Sequence, residues 1–281
     1  RYWYRVRPVF RGGRTGAFTE VFSGLTRWVS EEEKVQMKCD WEFGAFAQRY
    51  AGAQVITWKP SVFGRQEVFF MPRQQPWGEE VHGGVPVCWP WFGRNGDPGS
   101  VLHGFAWSQE WTVDAVENGK GFSRAVLRLE RKDEFRLTYE VRLDRELSLR
   151  LSMRNLGRER FVVTTGLHPY FSVSHPRNIT VDTPQGPIRC REAMDGGRPF
   201  GAGTYRISDS GWSRSIELKS FGNNKLVIWN SGPDEMQPGL SPTDWTKYIC
   251  VEPAVLPRCD GFYLQPGQSY EIRMSCRVVN L

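Results

Sequence analysis

The sequence predicts a nearly all-β chain folded as a single large domain over residues 1–281, and three observations carry that prediction. Apolar residues alternate with polar ones through three consecutive segments: Ala125, Leu127, Leu129; then Phe135, Leu137, Tyr139, Val141, Leu143; then Leu147, Leu149, Leu151, Met153. A period of two sustained in this way belongs to antiparallel strands with one wet face. Helical signals are few. Residues 81–111 are also too dense in Gly83, Gly84, Pro86, Pro90, Gly93, Gly96, Pro98, Gly99 and Gly104 to be helical.

In chain order, residues 1–30 alternate weakly around a GGRTG turn, and residues 30–34 (SEEEK) read as a solvated loop. Residues 52–58 (GAQVITW) form a strand ended by Lys59-Pro60, and residues 67–71 form another ended by Pro72. The connection at residues 143–146 is short enough for a hairpin, and Asn155-Leu156-Gly157 marks the next turn. Ser241-Pro242-Thr243-Asp244-Trp245 carries an N-cap, a Pro at the first helical position and an acid in the first turn. It predicts one short helix before a strand at residues 248–251. The tail alternates again through Tyr270, Ile272, Met274, Cys276 and Val278 after a Pro266-Gly267 turn.

Composition excludes several classes. The net charge of +6 comes from 37 basic residues spread without a Lys/Arg block. That describes a mildly basic surface and not a nucleic-acid partner, which needs clustered basic faces. The six cysteines, Cys39, Cys88, Cys190, Cys250, Cys259 and Cys276, show no CxxC or Cys/His ligand spacing. They read as reduced, mostly buried thiols in a reducing, cytoplasmic compartment, with no structural zinc and no disulfide scaffold. No apolar run approaches a membrane span. The chain starts at Arg1 and not Met, which is compatible with a removed targeting segment.

Chemistry concentrates in three places. Of the four histidines, His103 (LHGF) and His168 (GLHPYF) sit among aromatics beside strand ends. Glu252 lies in the apolar run YICVEPA, where a carboxylate is out of place unless paired or working. Pro253 is expected to stop that strand and aim Glu252 into a cleft. Two imidazoles and a carboxylate in apolar surroundings suit proton transfer without a metal. They are 65 and 84 residues apart, so only the fold can join them. No GxSxG elbow and no GxGxxG phosphate loop is present. Cys88, in VPVCWPW, reads as a packing residue.

The motifs GAQVITWKP, GGVPVCWPWFG, HGFAW, HPYF, CVEPA and LQPG, in that order, resemble the hexose-phosphate mutarotase branch of the aldose 1-epimerases. The resemblance runs from about Gly52 to the C-terminus. It implies a β-supersandwich of large antiparallel sheets with the active site in a cleft on one of them. It also implies cofactor-free, metal-free conversion between the α and β anomers of an aldohexose or its 6-phosphate, by a monomer. By the same resemblance Glu252 is the general base on the anomeric hydroxyl. His168 is the general acid on the ring oxygen, and His103 helps hold that oxygen.

Gln54, His82, Arg94, Trp107 and Tyr205 are the implied substrate-binding positions, and there the match departs. His82 and Trp107 stand where that branch usually has Arg, which removes two fork-shaped donors suited to phosphate. Arg94 or Arg73 is then the candidate replacement cation, and Trp107 a stacking surface for a neutral sugar. Tyr205 aligns poorly with the branch's hydroxyl-binding acid, for which Asp195 and Asp209 are neighbouring candidates. The alternative is a sugar-binding or interaction protein with weak or no catalysis on the same fold.

Overall fold

A computed structural model describes residues 52–62, 64, 66–72, 82–94, 100–198, 200–235, 237–256 and 262–281, together with the backbone of residues 3–4, 22–23, 36–41 and 44–49. The period-two segments are strands Phe122–Arg131, Phe135–Leu143 and Leu147–Asn155, and the tail is strand Ser269–Asn280. They lie in a nine-stranded antiparallel sheet. Its register explains the alternation. Leu151 faces Tyr139 on one side and Ile272 on the other, and Leu149 faces Val141 and Met274. Each such row is fully buried, while the intervening positions are partly or largely exposed. On that wetter face Arg124 pairs with Glu117 and Glu140, and Glu140 also pairs with Arg150. The hairpin turn joins Leu143 directly to its partner Leu147.

A second, six-stranded sheet carries strands Gly197–Arg198, Lys225–Trp229, Tyr248–Val255, Thr165–Leu167 and Val87–Cys88 in that order, with Tyr170–Ser172 also paired to Tyr248–Val255. Every residue of its central strand Tyr248–Val255 is buried. Ile249, Val251 and Val255 join the main core, which draws on both sheets, whereas Tyr248 and Cys250 pack with Phe70 and Tyr170 in a separate cluster. The pleat therefore sends alternate residues of one strand to two apolar environments. A three-stranded sheet of Gln36–Trp41, Gly44–Arg49 and Val55–Pro60 completes the regular structure around the site.

Four expectations change. Gly52 and Ala53 have φ of 70° and 51°, so they form a turn; the strand starts at Val55 and includes Lys59 and Pro60. Residues 67–71 are extended and form no regular strand: beside the Phe69–Phe171 bridge, the Val68 amide donates to the Trp58 carbonyl, the Phe70 amide to the Tyr170 carbonyl and the Ser172 amide to the Val68 carbonyl. There Glu67 accepts from the amides of Trp58, Val68 and Phe69 and from the Thr57 hydroxyl, satisfying donors that a sheet ladder would otherwise take. The expected helix is a single 3-10 turn, Asp244–Lys247. Asp244 accepts from the Ser241 amide and the Lys247 ammonium, a local closure that replaces a Ser cap. Pro253 does not stop its strand, which runs on to Val255. The loop at residues 30–34 and the GGRTG turn lie outside the described residues. Among the described residues no helix is long and apolar enough to cross a membrane.

Candidate active site

Strand register builds the centre of the site. Tyr170 pairs with Cys250 and Gly166 pairs with Ala254, both across the same strand. Counting inward from either pair puts His168 opposite Glu252. Between the two short strands the chain breaks at His168-Pro169, where Pro169 has no amide to offer the ladder. The His168 amide donates instead to the Pro86 carbonyl, 3.1 Å away. The result is a cross-strand imidazole–carboxylate pair with His168 Nε2 at 3.4 Å from Glu252 Oε2. His168 is 6% exposed and Glu252 1%. Glu252 Oε2 makes no hydrogen bond among the described residues.

His103 arrives from the glycine-rich stretch. Its backbone takes φ of 60°, followed by Gly104 at 74°, so the chain reverses and brings the imidazole edge-on to His168, ring centroids 5.1 Å apart. The Gly93 amide donates to His103 Nδ1 at 3.1 Å. That bond assigns the tautomer: Nδ1 is the acceptor, so Nε2 carries the hydrogen. His82 Nδ1 lies 3.0 Å from the Tyr170 hydroxyl. Tyr170 in turn stacks on His168 at 4.8 Å and 9°, with Phe92 on a nearly parallel plane at 6.2 Å and Trp229 edge-on at 6.0 Å. The glycine of Thr165–Leu167 makes room for this wall, since a Cβ on Gly166 would stand 2.6 Å from the Phe92 ring.

The electrostatics follow from burial. His82 and His103 are each pushed down to about 4, chiefly by desolvation, His103 also by His82. Desolvation and then the other two histidines hold His168 well below its ordinary value. Desolvation and then Asp195 hold Glu252 well above the carboxylate range. Both members of the pair are thus biased to neutrality. A proton on Glu252, moved across 3.4 Å to His168, would turn a neutral pair into a carboxylate base and an imidazolium acid without changing the net charge.

The histidines make a stability prediction. Their folded values lie below the unfolded value of about 6.5, so the unfolded chain binds more protons at pH 4–6.5. Stability from this source is complete above about pH 6.5 and falls on acidification, by up to about 1.4 kcal/mol per pH unit for each histidine. Thermal melting between pH 7 and 4.5 is expected to show that fall, flattened in His82→Gln. An equal slope in wild type and variant would refute the assignment for His82.

The other sequence-derived positions are distributed around this centre or away from it. Gln54 is buried and donates to the Gly83 carbonyl at 2.6 Å, tying down the turn after His82. Trp107 donates to the Leu102 carbonyl at 3.1 Å, bracing the His103 loop. Arg94 is exposed and donates to the Ser100 carbonyl. Tyr205 belongs to the large sheet, where it faces Leu218 in the core and donates to the Gly201 carbonyl. Asp209 accepts from the amides of Ser174, Gly211 and Trp212 as a loop-closing group. Asp195 is the acid whose charge reaches Glu252. Arg73 lies outside the described residues. Cys190, Cys250 and Cys276 are free, buried thiols, and Cys88 is buried as well.

Sequence reasoning did not single out Tyr170, Phe92 and Trp229 as walls or Cys250 as a neighbour of the pair. Tyr170 and Phe92 were legible as parts of HPYF and WPWFG, and Cys250 as the residue two before Glu252 on the same pleat face. Trp229 carried no signal.

Comparison with known proteins agrees with this geometry. The family model described as aldose 1-epimerase matches residues 52–192. A Salmonella typhimurium protein named "Putative glucose-6-phosphate 1-epimerase" is 27% identical over 235 residues, 72% of this chain and 76% of its own. One of the same name from Cenchrus ciliaris is 24% identical over 303 residues, 92% and 88% of the two chains. Among solved structures, a "putative mutarotase" from Salmonella typhimurium superposes with a TM-score of 0.79 at 20% identity, covering 88% of this chain and 90% of that one. A galactose mutarotase-like protein from Clostridium acetobutylicum gives 0.65 at 14% identity over 99% of each chain. These structural neighbours share the large antiparallel sheets found here, so the β-supersandwich expected from the motifs is the fold. With half of its length matched by the family model and the fold in agreement, this chain belongs to the aldose 1-epimerase family of sugar isomerases.

Proposed function

We propose that this protein interconverts the α and β anomers of an aldohexose, with Glu252 as general base and His168 as general acid. The observation that carries this is the buried cross-strand pair, His168 Nε2 to Glu252 Oε2 at 3.4 Å. In the reacting form Glu252 is the carboxylate and takes the proton of the anomeric hydroxyl. The C1–O5 bond breaks, its electrons go to O5, and O5 takes the proton from His168 while C1 becomes the aldehyde carbon. Ring opening leaves Glu252 protonated and His168 neutral, the state that burial favours. Rotation about C1–C2 and the reverse transfers close the ring on the other face. His103, neutral and with its hydrogen on Nε2, donates a hydrogen bond to the ring oxygen and is not the proton source. The chemistry calls for no cofactor, because only protons move.

The wall suits a sugar. Phe92 and Trp229, partly exposed beside the buried Tyr170, offer apolar faces of the kind that cover C–H surfaces of a pyranose. Asp195, the acid whose charge reaches Glu252, is the candidate acceptor for sugar hydroxyls. No cation figures among the groups that act on Glu252 or His168 among the described residues, and His82 stays neutral. A free hexose is therefore the substrate this part of the site fits, with Arg94 the described cation that would serve a 6-phosphate.

Exchange spectroscopy by NMR on glucose, galactose and glucose 6-phosphate tests the reading. Faster exchange than buffer alone is expected for at least one free hexose. Exchange at the buffer rate for all three sinks the enzyme, and calorimetric sugar binding without exchange assigns a binding protein instead. If only the phosphate is turned over, and Arg94→Ala raises its KM, Arg94 is the phosphate ligand and the free-hexose preference is wrong.

A further inference from the structure

Cys250 is the buried nucleophilic group closest to the chemistry that the mechanism leaves unused. It precedes Glu252 by two residues on a strand, so the pleat places both side chains on one face. One ligating atom from each of His168, Cys250 and Glu252 lies within 4.8 Å of the others. All three side chains are more than nine-tenths buried. Glu252 Oε2 is aimed into the same space without a hydrogen bond. We propose that His168, Cys250 and Glu252 form an inhibitory binding site for a zinc-like divalent cation, which competes with the sugar by occupying the acid–base pair. The inhibition, though not the metal binding itself, rests on the catalytic reading above.

Three physical arguments support the choice of ion. The donors of one tetrahedral zinc, at about 2.0–2.3 Å from the metal, stand about 3.3–3.8 Å from one another. His168 and Glu252 already have that separation at 3.4 Å, and the sulfur needs to approach by no more than about 1 Å. The donor set of imidazole, thiolate and carboxylate suits zinc and cobalt, whereas calcium and magnesium require oxygen shells. The charges also close: a neutral imidazole, a thiolate and a carboxylate around a dication sum to zero, so the buried complex carries no net charge to desolvate. Binding expels to solvent the proton of the Cys250 thiol and any proton that Glu252 carries. The fourth position of the metal remains for water. Local spacing could not reveal this set, since Cys250 and Glu252 come from one strand and His168 from the break between two short strands, 82 residues before Cys250.

The test is titration of the full chain with Co²⁺ as a spectroscopic probe, followed by Zn²⁺. A thiolate-to-cobalt charge-transfer absorption with one equivalent bound, displaced by zinc and lost in Cys250→Ser but kept in Cys88→Ser, is the expected result. In the anomer-exchange assay zinc should raise the apparent KM, and Cys250→Ser should keep activity without zinc while becoming about 10- to 100-fold less sensitive to it, at least the range that even outer-sphere partners command. Should Cys250→Ser melt early, Cys250→Ala and suppression of the wild-type cobalt band by saturating sugar replace it. Absence of the band in folded wild-type protein, or its persistence in both Cys250 variants, overturns the site. Unchanged zinc sensitivity in those variants overturns the inhibition. A cobalt band in a protein that exchanges no sugar leaves the metal site standing and removes the catalytic reading; exchange without a band does the reverse.

Discussion

Glu252→Gln is expected to lower catalysed anomer exchange by about 10²–10⁴-fold, the range a well-placed proton transfer is worth. The amide keeps the shape of the carboxylate but accepts no proton. It also has no acidic proton to pass across the 3.4 Å to His168, so the acid partner loses that supply as well. For that reason His168→Gln should cost nearly as much, and the double variant little more than either alone, because residues that act as a unit do not add. The fold should tolerate the change, as Glu252 Oε2 makes no hydrogen bond for the amide to break. Near-native melting combined with loss of exchange is therefore the expected signature, read by NMR exchange and thermal melts on the same samples. Retained exchange in Glu252→Gln would assign the base elsewhere.

Gly104→Ala should be among the most destabilising single-methyl changes in the chain. A Cβ there would stand 2.1 Å from the Trp89 carbonyl oxygen and 2.4 Å from its carbon, and the backbone is at φ of 74°. The obstacle is main chain, so no side-chain rotation relieves it. The same Trp89 carbonyl accepts from the Phe105 and Ala106 amides, and the Trp89 amide donates to His103. Displacing it disturbs the loop that presents the His103 imidazole. A left-handed alanine alone costs about 1–2 kcal/mol, and with the clash a total of about 2–4 kcal/mol is expected, a Tm lower by about 3–7 °C. Exchange activity should fall in the folded variant too, since His103 moves with its backbone. An unchanged melt would mean that the close approach to Trp89 is not maintained in solution.

The strands of the large sheet were legible in the sequence because one physical cause dominates them. Each has a core face and a wet face, so alternation, hairpin and register agree from Ala125 to Met153. The six-stranded sheet was less legible for the opposite reason. Tyr248–Val255 is buried on both faces and shows no alternation, and Pro253 misled because a proline can sit within a strand when its missing amide is not needed by the ladder. Tyr205 illustrates the limit of reading position by alignment. Its row in the register, Leu143–Leu147–Cys276–Leu218–Tyr205, is a core row, which makes it a packing residue in this fold.

By itself the sequence determined the all-β class, the period of the large sheet, and the residue types able to carry proton transfer, because local periodicity and the oddity of a carboxylate in an apolar run are properties of neighbouring residues. Only the tertiary structure decided that His168 faces Glu252 and that His103 turns its edge to His168. Those relations come from strand register between segments that are distant in the chain. Register is set by how whole faces are buried, and no spacing within a single segment encodes it.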